Sequence, residues 1–255
     1  HRTTDLAHEL VGCQLHGVTR KRHHNQQISA NGGITPFRWL ALNALPPGLS
    51  FDTVGILSGA PTQGGTFLFT IQVFDGVLAA RPTDGETLNS RGIARMALGR
   101  VVEANDDWRR QFELLPPTQA AARGCVALRH GNYGAAFHEF GLAHAKEAAQ
   151  PYWLLYRLAA GRLAGVQPGL FTVPAGNGWP PALIALYAGQ ATEEGLLGRA
   201  NSLERRTEAL FHVGVVTLAA NPAVARRHWR EVADRGPPAM IEYAAARNEL
   251  TRLGA

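Results

Sequence analysis

Histidine, cysteine, serine and the acids are the side chains that could do chemistry in this sequence, and their spacing decides what each can do. His130, His138, His144, His212 and His228 fall one at a time, with no carboxylate or cysteine at ligand spacing. A zinc site needs about three or four converging protein ligands. These histidines are therefore expected on the surface or in helix packing. Cys13 and Cys125 lie far apart in unlike contexts, which suggests neither a disulfide framework nor a zinc site. Cys125 reads as a small buried residue rather than a reactive thiol. Ser58 stands in Leu57-Ser58-Gly59, without the G-x-S-x-G spacing and strand-to-helix turn of a nucleophile elbow. The glycine-rich pieces lack the Lys-Ser or Lys-Thr that completes a phosphate cradle. Asp52 and Asp75 stand alone, whereas calcium takes about six or more oxygens. The residues point to recognition without catalysis: no enzyme, no metal and no cofactor.

Charge and composition narrow the partner. The net charge of +5 comes mostly from arginine spread along the later part of the chain, with one denser cluster at Arg20, Lys21, Arg22, His23 and His24. No aromatic residues interleave with that cluster, so it reads as a solvated tail and no nucleic-acid partner is expected. Leu10-Val11-Gly12-Cys13 resembles the box at which bacterial lipoproteins are cleaved and acylated, but Asp5, His8 and Glu9 occupy the place of the apolar stretch that such a signal needs. Beginning at His1 rather than Met, the chain is expected to be a processed or clipped product. The longest charge-free run, from Leu163 to Thr192, contains Pro168, Pro174, Pro180 and Pro181. It cannot form the roughly 20-residue apolar helix that spans a bilayer.

The elements that must position these residues come in two kinds. From Ile28 to Gly76, short runs are separated by Gly32-Gly33, Pro36, Pro46-Pro47-Gly48, Gly55, Gly59, Pro61 and Gly64-Gly65, the punctuation of small β structure. In the last run Phe67, Phe69, Ile71 and Val73 share one face and Leu68, Thr70, Gln72 and Phe74 the other, a strand with one buried side. Trp39, Leu49 and Ile56 are the expected partners of that face. The order GG-x-x-PF-x-W, LPPGLSFD, G-I-L-SGAPT-x-x-G and F-x-F-T-I-Q-V-x-D resembles the He_PIG family of Ig-like domains of bacterial surface and secreted proteins. That resemblance implies a β-sandwich serving as a spacer or sticky module.

After Gly85 the period becomes helical. Arg91 to Arg100 aligns with Arg123 to Asn132 so that Gly92 matches Gly124 and Gly99 matches Gly131; at the same offset Ala104 matches Ala136 and Trp108 matches Phe140. Small residues let two helices approach, and an aromatic seals the gap beside them. An abbreviated unit follows in PYWLLYRLAAGRL, and another over Ala209 to Arg235 with Phe211, Gly214, Ala225 and Trp229 in the same roles. There Asn221 is expected to cap the second helix, with Pro222 in its first turn. Gly131, Tyr133 and Ala136 resemble the tetratricopeptide repeat (TPR). The succession YWLLYRLA, the segment from Trp179 through ALYAGQATEE, EALFHVG and IEYAAARNELTRL resembles NlpI-type TPR lipoproteins of Gram-negative bacteria over about Leu88 to Leu253. That resemblance implies a non-enzymatic adaptor of the cell envelope, often periplasmic, that scaffolds other proteins.

Carried over from the TPR resemblance, the partner-binding groove comprises Asn89, Ile93, Met96 and Ala97, then Ala121, Cys125, Leu128 and Arg129, then Glu208, Phe211, Val215 and Leu218. The set is largely apolar with one cation, which suits an apolar or helical segment of a protein or peptide partner. Set against this, Ile93, Leu128 and Val215 also fit as plain core. The expected fold is multidomain: a basic tail over 1–25, a small all-β Ig-like sandwich over 26–77, a linker over 78–84 and an all-α, TPR-like right-handed solenoid over 85–255. A helix from Ala239 to Leu253 is expected to cap the last pair. Oligomeric state is left open, and an adhesive surface protein whose β module contacts glycan or matrix is the alternative to an adaptor.

Overall fold

A computed structural model describes residues 8–18, 23–28, 37–41, 45–74, 84–167 and 169–254. Asp75, the Arg20-Lys21-Arg22 part of the basic cluster and linker residues 78–83 lie outside them. The chain divides into two compact units, His1–Arg100 and Val101–Ala255.

Among the described residues the first unit holds six strands and one helix: β1 (His8–Val18), β2 (His24–Gln27), β3 (Arg38–Ala41), β4 (Leu49–Phe51), β5 (Ile56–Gly59), β6 (Gly65–Phe74) and α1 (Gly85–Ala97). They form two antiparallel three-stranded sheets, ordered β1-β6-β3 and β2-β5-β4. Trp39 and the β6 residues Ile71 and Val73 from one sheet meet Leu57 from the other in a single buried cluster, with Leu49 and Phe51 packed against it. The alternation along β6 thus buries Ile71 and Val73 as expected; the side chains of Phe67 and Phe69 lie outside those described. Leu57 takes the core position expected of Ile56. In β5 successive side chains face opposite ways, and Ile56 lies only partly buried, opposite Gln27 of β2.

One correction concerns the start of the chain. Within residues 1–25, expected to be a basic tail, 8–18 form β1, which pairs with β6 from His8↔Phe74 to Val18↔Gly65, and His24 and Asn25 begin β2, His24 pairing with Gly59. A charged, histidine-bearing stretch can form a strand because pairing with an apolar neighbour satisfies its backbone whatever its side chains. Leu10 to Cys13, the lipoprotein-like box, sits within β1.

Asp52 proves to be a turn residue. Its Oδ1 accepts from Val54 N at 3.1 Å and Ile56 N at 2.7 Å, fixing the β4–β5 turn by the local bonding that favours Asp there. Gly55 completes the turn at φ 90°, where a Cβ would also stand 2.8 Å from the Trp39 indole.

The second unit is all helical: α2 (Val101–Leu114), α3 (Ala120–Arg129), α4 (Tyr133–Lys146), α5 (Pro151–Ala164), α6 (Trp179–Tyr187), α7 (Glu193–Arg199), α8 (Leu203–Thr217), α9 (Pro222–Arg235) and α10 (Ile241–Arg252). Their starts follow the cap residues: Asn132, Thr192, Ser202 and Asn221 each accept a backbone N–H of the first turn. Pro222 occupies the first turn of α9, as the Asn-Pro pair predicts. Gly99 ends α1 and Gly131 ends α3 in matching left-handed conformations, φ 76° and 77°.

Helix α4 packs between α3 and α5, and α9 between α8 and α10. The small-against-large pairing holds at Gly124 and at Gly214. A Cβ on Gly124 would lie 2.8 Å from the Phe140 ring, and one on Gly214 would run into the Trp229 indole. Phe140 and Trp229 are wholly buried. Helix α10 does more than the expected capping of the last pair, because it also packs across to α3. Among the described residues no helix is long and apolar enough to cross a membrane.

Candidate functional site

Helices α3, α5, α8 and α10 converge on one polar cluster inside the second unit. Helix α5 supplies Tyr152 and Tyr156, one turn apart and therefore on one face, with ring centroids 5.7 Å apart. The Tyr152 hydroxyl donates to Glu208 of α8 at 3.1 Å, and the Tyr156 hydroxyl to Glu242 of α10 at 3.1 Å. The Trp179 indole N–H, at the start of α6, donates to the other Glu208 oxygen. Arg205, one turn before Glu208, places its guanidinium 5.4 Å from the centre of the Trp179 ring. Behind this layer the Tyr187 hydroxyl lies 2.7 Å from His212 Nδ1, and His212 lies against the Tyr156 ring at 6.4 Å.

The α3 side of the cluster is tied directly to α10. Arg129 donates to the Ala239 carbonyl at 2.6 Å, and Asn248 of α10 donates to the Arg129 carbonyl at 2.6 Å. Asn105 of α2 donates to Asn248 Oδ1 at 2.8 Å. Glu249, wholly buried, is held by Arg252 and faces Tyr133.

Burial sets the electrostatics. The Glu242 carboxyl is pushed up to about 7, first by burial and then by the Glu208 charge; a backbone N–H bond, the hydrogen bond from Tyr156 and the Arg129 charge act against the rise. Glu208 is also raised by burial, opposed by its bonds from Trp179 and Tyr152 and by Arg205. Tyr156 is pushed well above its ordinary value by burial and by the two carboxylates. Burial lowers His212 to about 3, so this histidine is neutral and its Nδ1 can accept from Tyr187. The Cys125 thiol is raised to about 11 by burial, which leaves little thiolate for nucleophilic chemistry.

The expected groove residues divide. Asn89, Ile93, Met96 and Ala97 belong to α1 in the first unit, where Ile93 and Met96 are buried. The α3 and α8 sets come together in the second unit, but as its interior: Leu128, Phe211 and Val215 are buried and Glu208 nearly so. Cys125, Arg129 and Leu218 are partly covered. Ala121 lines a shallow cavity of about 290 Å³ with Gln119, Ala143, Lys146 and Glu147. The face proposed for a partner is thus already filled, and α10 is what fills part of it.

Sequence reading missed Tyr152, Tyr156, Glu242 and Asn248 and named Trp179 only within a resemblance; His212, expected on the surface or in helix packing, is packed and wholly buried. A signal existed. Tyr152 and Tyr156 stand at helical spacing, and Glu242 and Glu249 share one stripe of an otherwise alanine-rich helix. Chemically the cluster is a set of hydrogen-bond pairs that lock helices together, with His212 Nε2, Tyr133 OH and Glu249 Oε1 buried without a hydrogen-bond partner. Among the described residues no three His, Cys, Asp or Glu side chains converge as a metal would require.

Comparison with known families agrees with the first unit. Residues 11–81 match the family model described as "Putative Ig domain", which places the start of the Ig-like module inside β1. No curated protein matches the chain.

Proposed function

We propose that the chain is a non-enzymatic adaptor whose helical unit takes a helical segment of a partner protein on the face built by α3, α5 and α8. The observation that carries this reading is α10. A helix already seats there through main-chain, amide and carboxyl contacts, so the face has the width and chemistry for one. The Ig-like module then serves as spacer or docking piece. The TPR and NlpI-type resemblance supplies the setting, a bacterial cell envelope.

Photo-crosslinking residues placed at Ala121 or Arg205, against Leu142 on the exposed side of α4, test the reading in envelope extract. Adducts to one protein from the first two positions and not the third are expected. Adducts from Leu142 alone, or turnover of a substrate by the pure chain, overturn it.

The family match over 11–81 favours a second reading, adhesion of the sandwich to glycan or matrix. Asp52→Ala, which unfastens the β4–β5 turn, separates the two: lost adhesion with retained capture supports the second.

A further inference from the structure

Helix α10 carries an unusual load for a buried helix. Glu242, Asn248 and Glu249 are 2%, 9% and 0% exposed, and a buried carboxyl without a close cationic partner weakens the packing that holds it. Glu242 has a tyrosine hydroxyl for a partner and the Glu208 carboxyl for a neighbour. An apolar residue there would hold α10 more firmly. The segment before it, Gly236-Pro237-Pro238-Ala239-Met240, joins α9 to α10 and is fastened by the Met240 N–H to the Pro237 carbonyl and by Arg129 to the Ala239 carbonyl, so release of α10 breaks the Arg129 bond.

We propose that α10 is a built-in ligand of the inner face, seated while Glu242 is protonated and released when its carboxyl ionises. The groups facing Glu242 fix the direction. From α3 come Arg129 and Cys125, from α5 Tyr156 and Tyr152, from α6 Tyr187 and from α8 Glu208. On α9, Asp234 acts on Tyr243. Among the described residues Arg129 is the single cation named as acting on Glu242, and it is spent partly on the Ala239 carbonyl, while Glu208 repels the ionised form. Once released, the carboxyl returns to its ordinary value of 4.5 from about 7. The equilibrium for release therefore climbs by roughly fifty-fold between pH 5 and pH 7.5 and levels off above that. Where the inner face is the partner's seat, which rests on the adaptor reading, α10 guards it and mildly acidic conditions keep it closed.

Hydrogen exchange of the full chain at pH 5 and pH 7.5, corrected for intrinsic rates, reads the latch directly. Protection of Ile241–Arg252 is expected to fall severalfold or more relative to α5 at the higher pH. Glu242→Gln is expected to abolish that fall. Tyr156→Phe, which removes the bond favouring the ionised form, is expected to deepen that fall at pH 7.5 and to extend it to higher pH. Protection of α10 that follows α5 at both pH values, or a fall that persists in Glu242→Gln, overturns the proposal. Release without any crosslink from Ala121 leaves the latch standing and removes the adaptor reading instead.

Discussion

Glu208 and Glu242 reach neighbouring tyrosines on α5 from different helices, and they differ in burial and in the charges beside them. Glu208 accepts from an indole and a phenol, with Arg205 beside it; Glu242 accepts from one phenol and a backbone N–H, is more deeply buried and feels the Glu208 charge. The fold therefore tolerates Glu208 as a carboxylate better than Glu242. For stability the sign follows from linkage. The folded protein holds the Glu242 proton up to about pH 7, whereas the unfolded chain loses it near 4.5, so this contribution is full below 4.5 and lost as pH rises through 7. It amounts to about 3 kcal/mol. Urea unfolding of Glu242→Gln is expected to show a flatter pH profile between 4.5 and 7 and greater stability than the parent at pH 8. A profile of unchanged slope would show that the residue ionises freely in the fold.

At the scale of elements, the helical hairpins depend on glycines set against rings. Gly124→Ala in α3 and Gly214→Ala in α8 each drive a methyl into a wholly buried aromatic, Phe140 or Trp229. Each is expected to cost about 1–3 kcal/mol as overpacking, seen as a lower denaturation midpoint by circular dichroism; a gain, as alanine's better helix propensity alone would give, contradicts the close approach. In the β module, Asp52→Ala loses two backbone bonds and is expected to cost about 1 kcal/mol, visible as faster exchange at Val54 and Ile56. These pairings were legible because they are local: glycine, aromatic and cap recur at fixed offsets, and the β6 alternation marks its own buried side. What was not legible is non-local. Ile56 and Leu57 are equally apolar, so only the pairing with β2 decides which turns inward. Glu242 and Asn248 look like solvent-facing residues until α10 meets α3, and nothing near either helix in the chain announces that meeting.

For the helical unit as a whole, Asn248 is the fastening between distant parts of the chain. Its amide joins Asn105 of α2, the Arg129 carbonyl of α3 and α10 itself. Asn248→Ala leaves the Asn105 donor and the Arg129 carbonyl short of partners, at a cost of about 2 kcal/mol. Stopped-flow unfolding is expected to show a faster rate, with α10 detaching first by pulse-labelled exchange. Equal loosening throughout the unit would argue against such a fastening. Cys125 sits on α3 within the electrostatic reach of Glu242, its thiol suppressed by the same enclosure. In a Cys13→Ser background, alkylation of this partly exposed sulfur by a maleimide, compared between the parent chain and Glu242→Gln at pH 5 and pH 7.5, reads without any foreign dye how far release of α10 changes its access.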